Sequence, residues 1–365
     1  MRIAYLGQMA DITTENGISK KIRMQTVAWA AAGHVVRYFA SVPRPPAWSG
    51  LAPLEADLIR RGNALEQILC SRTLCQHIDS WQPDVIYFRF AHHSPGLPGL
   101  FSRYPTIAEI NSDDLQEYDL TLSAPKRVYH RMTRERVLCR VRGFVAVTSE
   151  LAKRFSGFAK PTEIIGNSID FAALPILPVA TPDCRIRLIF VGNTGTPWHG
   201  LERVDDLAGM FPEYEFVVIG CTPRDYLGCP GVRNVPPNLQ LVGMMAQQEY
   251  LPLLTNATAA IGTLGLYRKH MDEACPLKVR EYLALGLPVI GAYQDTDIPP
   301  KADYFLRLPN DAEPLAPWRE RIAAFMEHWR TRRVPRSGIA HLDVSVKEAQ
   351  RLAFLEKIVA TSRHG

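Results

Sequence analysis

"EACPLKVREYLALGLPVI", residues 273–290, reads as a short helix running into an apolar strand. Pro276 suits a first helical position, because its missing N–H would be an orphan donor there anyway. Gly286 suits the place just past the helix, where the backbone turns left-handed. Pro288 blocks further helix, and "PVIGAY" (288–293) has the composition of a buried strand. Lys278 and Glu281 lie three apart and share a helix face. The plainer reading of the two is a surface ion pair of ~0.3 kcal/mol. The sharper one is a polar site at the front end of a helix, where anions bind.

The same alternation runs through the whole chain. Apolar strands are expected at "RIAYLG", "HVVRYFA", "DVIYFRF", "TIAEIN", "FVAVTS" and "TEIIGNS", and again at "IRLIFVG", "EFVVIG", "LQLVG", "AAIGTL", "LPVIGAY" and "DYFLRL". Helix-length gaps between short strands imply parallel βαβ units. The fold class is therefore α/β, with two Rossmann-like domains, 1–170 and 184–340, facing a central cleft. The proline-rich segment 171–183, "FAALPILPVATPD", reads as a stiff linker between them. "SVKEAQRLAFLEKIVA" (345–360) places Ala349, Leu352, Ala353, Leu355 and Ile358 near helical period, so the segment 341–365 is expected to bury an amphipathic helix.

Bulk composition narrows the classes. The chain has 365 residues and 47% hydrophobic content, enough for two cores. Forty-two basic against 37 acidic residues give a net charge of +5, too weak a bias to argue for nucleic acid. It is compatible with anionic substrates or a membrane surface. The seven cysteines are scattered, with neither zinc-ligand spacing nor a disulfide framework. Reduced thiols and a cytoplasmic location are expected. No apolar run reaches the ~18 residues that span a bilayer, and the chain opens on a strand rather than a signal peptide.

Ligands of open parallel sheets bind beyond the carboxyl ends of the strands. After the first strand, Gly17 closes a polar loop ahead of a helix over about 18–31, and a glycine there lets a ligand approach the backbone. GxGxxG is absent, so a nicotinamide fingerprint is not present. After "DVIYFRF" come His92 and His93, with Arg89 on the strand. After "TIAE" come Asn111, Asp113 and Asp114, with Glu109 at the strand end. "IFVGNTGTPWHGLERVDDLA" (189–208) has the strand, glycine loop and helix of a phosphate-binding layout, with Gly192, Asn193, His199 and Gly200 beside the anion. It is not a Walker loop. No cluster has metal-ligand spacing, so no protein-held metal is expected.

These motifs, in this order, resemble the retaining GT-B glycosyltransferases of the glycosyltransferase group 1 type, in their bacterial cell-surface polysaccharide branch. "FVGNTGTPWHGLERV" is similar to their "FVG…KGLD" loop. "EACPLKVREYLALGLPVI" is similar to their Glu, seven residues, Glu motif. "VAVTSELAKRF…TEIIGNSIDF" and "DVIYFRF…TIAEINSDD" resemble their first-domain segments. The resemblance implies a first domain for the acceptor and a second for a nucleoside-diphosphate sugar, UDP- or GDP-linked, with no tightly bound cofactor and no metal. It implies Glu281 on the ribose, Glu273 beside the transferred sugar, and Lys278 with the 192–200 loop on the diphosphate. Leu277 joins the donor set, and Gly17 approaches the phosphates. The catalytic set is then Glu273, Lys278, His92 and Asn111, and the acceptor set Arg89, His93 and Glu109. A nucleotide-sugar epimerase of the same fold, or a non-catalytic nucleotide-sugar binding protein, are the alternatives.

Some positions depart from that pattern. Asn193 and His199 stand where the family often has Arg and Lys, which throws charge onto Lys278, with Arg280 or Lys269 in support. Asn111 stands where many members have histidine. Ser168 replaces the glycine of "NGxD". Separately, "SAPKRVYHRMTRERVLCRVR" (123–142) reads as a basic helix with an apolar stripe of Val128, Met132, Val137 and Val141. Such a helix either docks on its own domain or binds an anionic membrane, which would put the protein at the inner face of the membrane.

Overall fold

The computed structural model describes residues 1–7, 16–42, 55–60, 64–179, 181, 185–192, 195–229, 231–232 and 234–362, of which 64–70 are described by backbone alone. Asn193 lies outside the described residues. The chain forms two compact units, Met1–Ser168 with Val344–Gly365, and Ile169–Asp343.

The first unit carries strands β1 (Arg2–Gly7), β2 (Val35–Val42), β3 (Glu55–Arg60), β4 (Val85–Arg89), β5 (Thr106–Ile110), β6 (Gly143–Ala146) and β7 (Thr162–Ile164). They form a parallel sheet in the order β3-β2-β1-β4-β5-β6-β7. Between them lie helices α1 (Gly17–Ala31), α2 (Ala64–Trp81), α3 (Leu97–Arg103), α4 (Asp114–Thr121), α5 (Ala124–Leu138) and α6 (Ser149–Arg154). The second unit carries β8 (Arg187–Val191), β9 (Glu215–Ile219), β10 (Leu239–Leu241), β11 (Ala259–Ile261), β13 (Val289–Gly291) and β15 (Phe305–Arg307), in the order β10-β9-β8-β11-β13-β15. A separate parallel pair joins β12 (Glu273–Ala274) to β14 (Gln294–Asp295). Its helices are α7 (Leu201–Met210), α8 (Pro223–Leu227), α9 (Gln247–Leu254), α10 (Leu277–Ala284) and α11 (Arg319–Trp329), and α12 (Val344–Ser362) closes the chain in the first unit.

Both sheets reverse strand order in the middle, between β1 and β4 and between β8 and β11. Such a reversal is where doubly wound folds open a crevice for ligands. The twelve expected strands all form. Strand β3 was not expected, because "EADLIR" is an edge strand whose central residues are only half-buried, so it lacks the apolar run of its neighbours. The proline-rich segment after Ile169 lies in the second unit: Leu177 is buried and its N–H bonds Leu285 O at 3.0 Å.

Helix α12 is buried, but on a face rotated from the apolar one expected. Leu352, Leu355 and Ile358 pack into the first core beside Phe354 and Val359, whereas Ala349 and Ala353 are exposed. The face turns because Glu348 and Arg351 are drawn inside. Trp29 Nε1 donates to Glu348 Oε2 at 3.0 Å, Ser168 Oγ to Glu348 Oε1 at 2.9 Å, and Arg351 to Glu348 at 2.6 Å and to Gly166 O at 2.8 Å. The Ser168 departure from "NGxD" thus supplies a hydroxyl that ties the end of the first chain segment to α12. Leu355→Ala should cost about 2–5 kcal/mol in a denaturant titration, whereas Val346→Ala, on the exposed face, should stay within ~0.5 kcal/mol.

Candidate active site

In the second unit Gly192, His199 and Lys278 gather around the end of β8. Phe190 is the hub. The Nζ of Lys278 sits 3.8 Å from its ring centroid, and the His199 ring meets it edge-on at 5.8 Å. A β-carbon on Gly192 would strike both Phe190 and His199, so only glycine lets the three crowd together. The turn Pro197–His199 leads to Gly200, whose φ of +71° starts α7. A side chain on Gly200 would collide with the backbone of Leu264 and Gly265. Those residues bond back to the turn, Leu264 N to His199 O and Gly265 N to Trp198 O, each at 3.1 Å. His199 Nδ1 is 2.6 Å from Thr196 Oγ1.

Helix α10 abuts the same strand end, with Val191 N donating to Tyr282 OH at 2.7 Å. Pro276 is its N-cap, so the helix begins at Leu277, one residue later than the sequence suggests, and Gly286 takes the expected left-handed φ of +85°. No side chain caps α10 and no acid sits in its first turn. The positive end of the helix is therefore uncompensated. Lys278 is no surface ion pair. Its Nζ is enclosed and has no hydrogen-bond partner among the described residues, and burial lowers its pKa to about 7. Glu273 lies half-buried on β12, and Glu281 on α10 receives Gln247 Nε2 at 2.8 Å and Tyr250 OH at 2.5 Å on one oxygen, Oε1. Those two donors were missed, since nothing in the sequence links α9 to α10.

Arg280 does not support Lys278 electrostatically. It is fully buried and donates to both Asp295 oxygens (2.9 and 2.7 Å), to Asp297 (3.1 Å) and to Cys275 Sγ (2.7 Å). Cys275, Asp295 and Asp297 are close enough to suggest a cation site, and the guanidinium occupies it. Lys269 is also buried, with Nζ 4.2 Å over the Trp198 ring.

In the first unit Arg89 and Asn111 converge on Glu109, whereas His92, His93 and Gly17 are not brought to it by any hydrogen bond among the described residues. Glu109 has no exposed surface, so it does not meet an acceptor directly. Lys21 Nζ lies 2.9 Å from Oε1, Tyr87 OH donates to it at 2.8 Å, and Arg351 Nε lies at 3.6 Å. Asn111 Nδ2 and Arg89 reach Oε2 at 3.0 and 3.5 Å. Burial alone would raise the carboxyl pKa. Lys21, Arg351 and Arg89 overturn that and hold it well below the usual range. Asn111 is locked at both ends, because its Oδ1 accepts from Lys21 at 2.8 Å. His92 is half-buried in the loop after β4. His93 Nδ1 is 2.8 Å from Tyr129 OH on α5, and burial with the Arg136 charge lowers its pKa. Gly17 is the exposed first residue of α1, behind an Asn16–Ser19 capping box. Lys21 and Arg351 were not singled out in the sequence; they lie on helices, where lysine and arginine normally read as solvated.

No protein-family model matches the chain, and comparison with curated proteins gives no match. Solved structures do match along nearly the whole length. The lipopolysaccharide outer core galactosyltransferase WaaB in its apo form is 13% identical with a TM-score of 0.64, over 97% of this chain and 99% of that one. Anabaena HepE in complex with UDP-glucose is 13% identical with a TM-score of 0.65, over 97% and 100%. The UDP-GlcNAc 2-epimerase from Neisseria meningitidis bound to UDP-GlcNAc is 12% identical with a TM-score of 0.57, over 98% and 100%. The fold is GT-B. At these identities the likeness establishes the fold, in agreement with the motifs that suggested it.

Glu109→Gln should cost about 3–5 kcal/mol, because it leaves Lys21 buried without its counter-charge, while Arg351 keeps Glu348. Urea unfolding followed by fluorescence checks this.

Proposed function

We propose that this protein transfers a glycosyl group from a nucleoside-diphosphate sugar, UDP- or GDP-linked, to a hydroxyl acceptor. The observation that carries the reading is Lys278, a cation enclosed without a hydrogen-bond partner at the uncapped start of α10. A buried unpaired cation beside a helix N-terminus is an arrangement that an anion completes. HepE, with the same fold, is described in complex with UDP-glucose.

On this reading the second unit holds the donor. Lys278, the N–H groups at the start of α10 and the 192–200 loop take the diphosphate, Leu277 lies against it, Glu281 takes the ribose hydroxyls, and Glu273 stands beside the sugar. The bond from the anomeric carbon to the diphosphate oxygen breaks toward an oxocarbenium-like state. The charge that grows on the leaving group is stabilised by donors already in place. The departing phosphate oxygen takes the acceptor proton while the acceptor oxygen attacks the same face, which retains anomeric configuration. The first unit supplies the acceptor side, with Gly17 toward the phosphates and His92, His93 and Arg89 as polar groups. Asn111 and Glu109 act there as the brace that sets Arg89.

An epimerase reading competes, since an epimerase shares the fold. Product formed from a UDP-sugar with no acceptor present would favour it. For the donor site itself, UDP or GDP at ~100 times its dissociation constant should stabilise the protein by ~2.7 kcal/mol. Lys278→Met should weaken that ligand by about tenfold to a hundredfold, the worth of a charged hydrogen bond. No shift with either nucleotide in thermal unfolding would sink the proposal.

Protonation provides a second readout. With a folded pKa of about 7 against an unfolded value near ~10.5, Lys278 penalises the free fold fully below pH ~7. The penalty fades as pH rises toward ~10.5, so this group makes stability climb across that window. A bound diphosphate favours the charged amine, so binding at pH 8 should take up a proton. Titration calorimetry in buffers of different ionisation enthalpy should show uptake in the wild type and none in Lys278→Met.

We place the protein at the cytoplasmic face of a membrane through α5. No helix among the described residues is long and apolar enough to cross one. The helix ends at Leu138, short of the expected 142, and the expected stripe divides: Val137 on α5 and Val141 beyond it are core, whereas Val128 and Met132 are 56% and 72% exposed. Arg127 and Arg131 pair with Asp119, and Arg134 with Asp114. Lys126 and Arg136 on α5, and Arg140 and Arg142 just beyond it, are exposed, which suits an anionic interface. Sedimentation with vesicles rich in anionic lipid at low salt should carry the wild type down and leave Met132→Glu in solution.

A further inference from the structure

We infer that Tyr250 and Gln247 are positioning residues for the Glu281 carboxylate and so set a preference for ribo- over 2′-deoxyribonucleotides, an inference that rests on the reading of Glu281 as the ribose contact. The two residues lie three apart on α9 and therefore on one face. Both donate to the same atom, Glu281 Oε1, Gln247 Nε2 at 2.8 Å and Tyr250 OH at 2.5 Å. The Tyr250 ring is buried and Gln247 is half-buried. The start of α9 is itself braced, because Glu249 accepts the Ala246 N–H at 2.8 Å. The donor pair is thus carried on a fixed turn rather than a fraying one.

The last torsion of a glutamate is soft and populates a broad range. Two donors on one oxygen remove that freedom. An ionised carboxylate has about four lone-pair sites, and α9 engages two of them from one side. The carboxylate is thus oriented by α9 before a ligand arrives. A freely turning carboxylate can accept from whichever hydroxyl is present. A fixed one is matched to a particular diol, and a site built to accept a hydroxyl rejects the analogue that lacks it.

The test is the ratio of dissociation constants for UDP and 2′-deoxy-UDP, with the GDP pair in parallel and pyrophosphate as the probe of the anion site alone. Wild type, Tyr250→Phe and Gln247→Met are compared as full chains. We expect wild type to prefer the ribonucleotide by tenfold or more. Each variant should lower that ratio about fivefold, the worth of one such hydrogen bond, through weaker ribonucleotide binding with pyrophosphate affinity unchanged. Ratios that stay at the wild-type value overturn the inference, as does an equal loss of all three ligands, which would mark a merely structural role. If Tyr250→Phe fails to fold, Gln247→Met on the half-buried first turn carries the test. Absence of nucleotide binding by wild type overturns the donor reading, and the inference with it. Nucleotide binding with an unmoved ratio in the variants removes the inference alone.

Discussion

A carboxylate without access to water has to be surrounded by cations, and Glu109 organises the first unit on those terms. Lys21 comes from α1, Arg89 from β4 and Arg351 from α12. Elements from both ends of the chain are therefore fixed to one side chain at the end of β5. An isolated buried charge costs several kcal/mol, so each partner is needed to hold the others in place. The helix that closes the chain cannot dock in another register without leaving Glu109 short of a cation and Glu348 away from Trp29 and Ser168.

The second unit handles charge in two ways. Around Arg280 it behaves like the first: Asp295, Asp297 and Cys275 close on the guanidinium and fix the segment that runs from β12 into α10. Two residues earlier, Lys278 is left against an aromatic face with burial lowering its pKa and no charged neighbour contributing to the shift. The contrast matters because the two side chains share a short helix. The neutralised one fixes the backbone; the unneutralised one is the cation on which the proposed donor site rests. Rigid backbone beside an unsatisfied cation is how a binding site is preorganised.

Much of this was legible in the sequence. Strand positions followed from apolar runs, and the left-handed glycine at 286 followed from a helix end. The reversal of strand order in each sheet followed from the parallel topology. What stayed hidden were contacts made between helices distant in sequence. Lys21 and Arg351 look like ordinary solvated helix charges until Glu109 is seen between them. Gln247 and Tyr250 sit on a helix with no motif, and their meaning arises where α9 meets α10. Ala349 and Ala353 fit the apolar period of α12 but face outward, because satisfying Glu348 and Arg351 outweighs burying two methyl groups.

The departures from the family pattern share a physical logic. Asn111, in place of a histidine, bridges Lys21 and Glu109 with an acceptor and a donor at once. A neutral imidazole could also offer one of each, but protonation would make it a donor on both sides, placing two cations together next to Arg89. The amide keeps the cluster independent of pH in the range where histidine titrates. Ser168 likewise adds a donor for Glu348 that glycine could not provide. Both changes strengthen the brace at the end of β5 and leave Lys278, Glu273 and Glu281 untouched. The first unit is thus held together differently from the resembled pattern, while the residues on which the proposed donor chemistry depends match it.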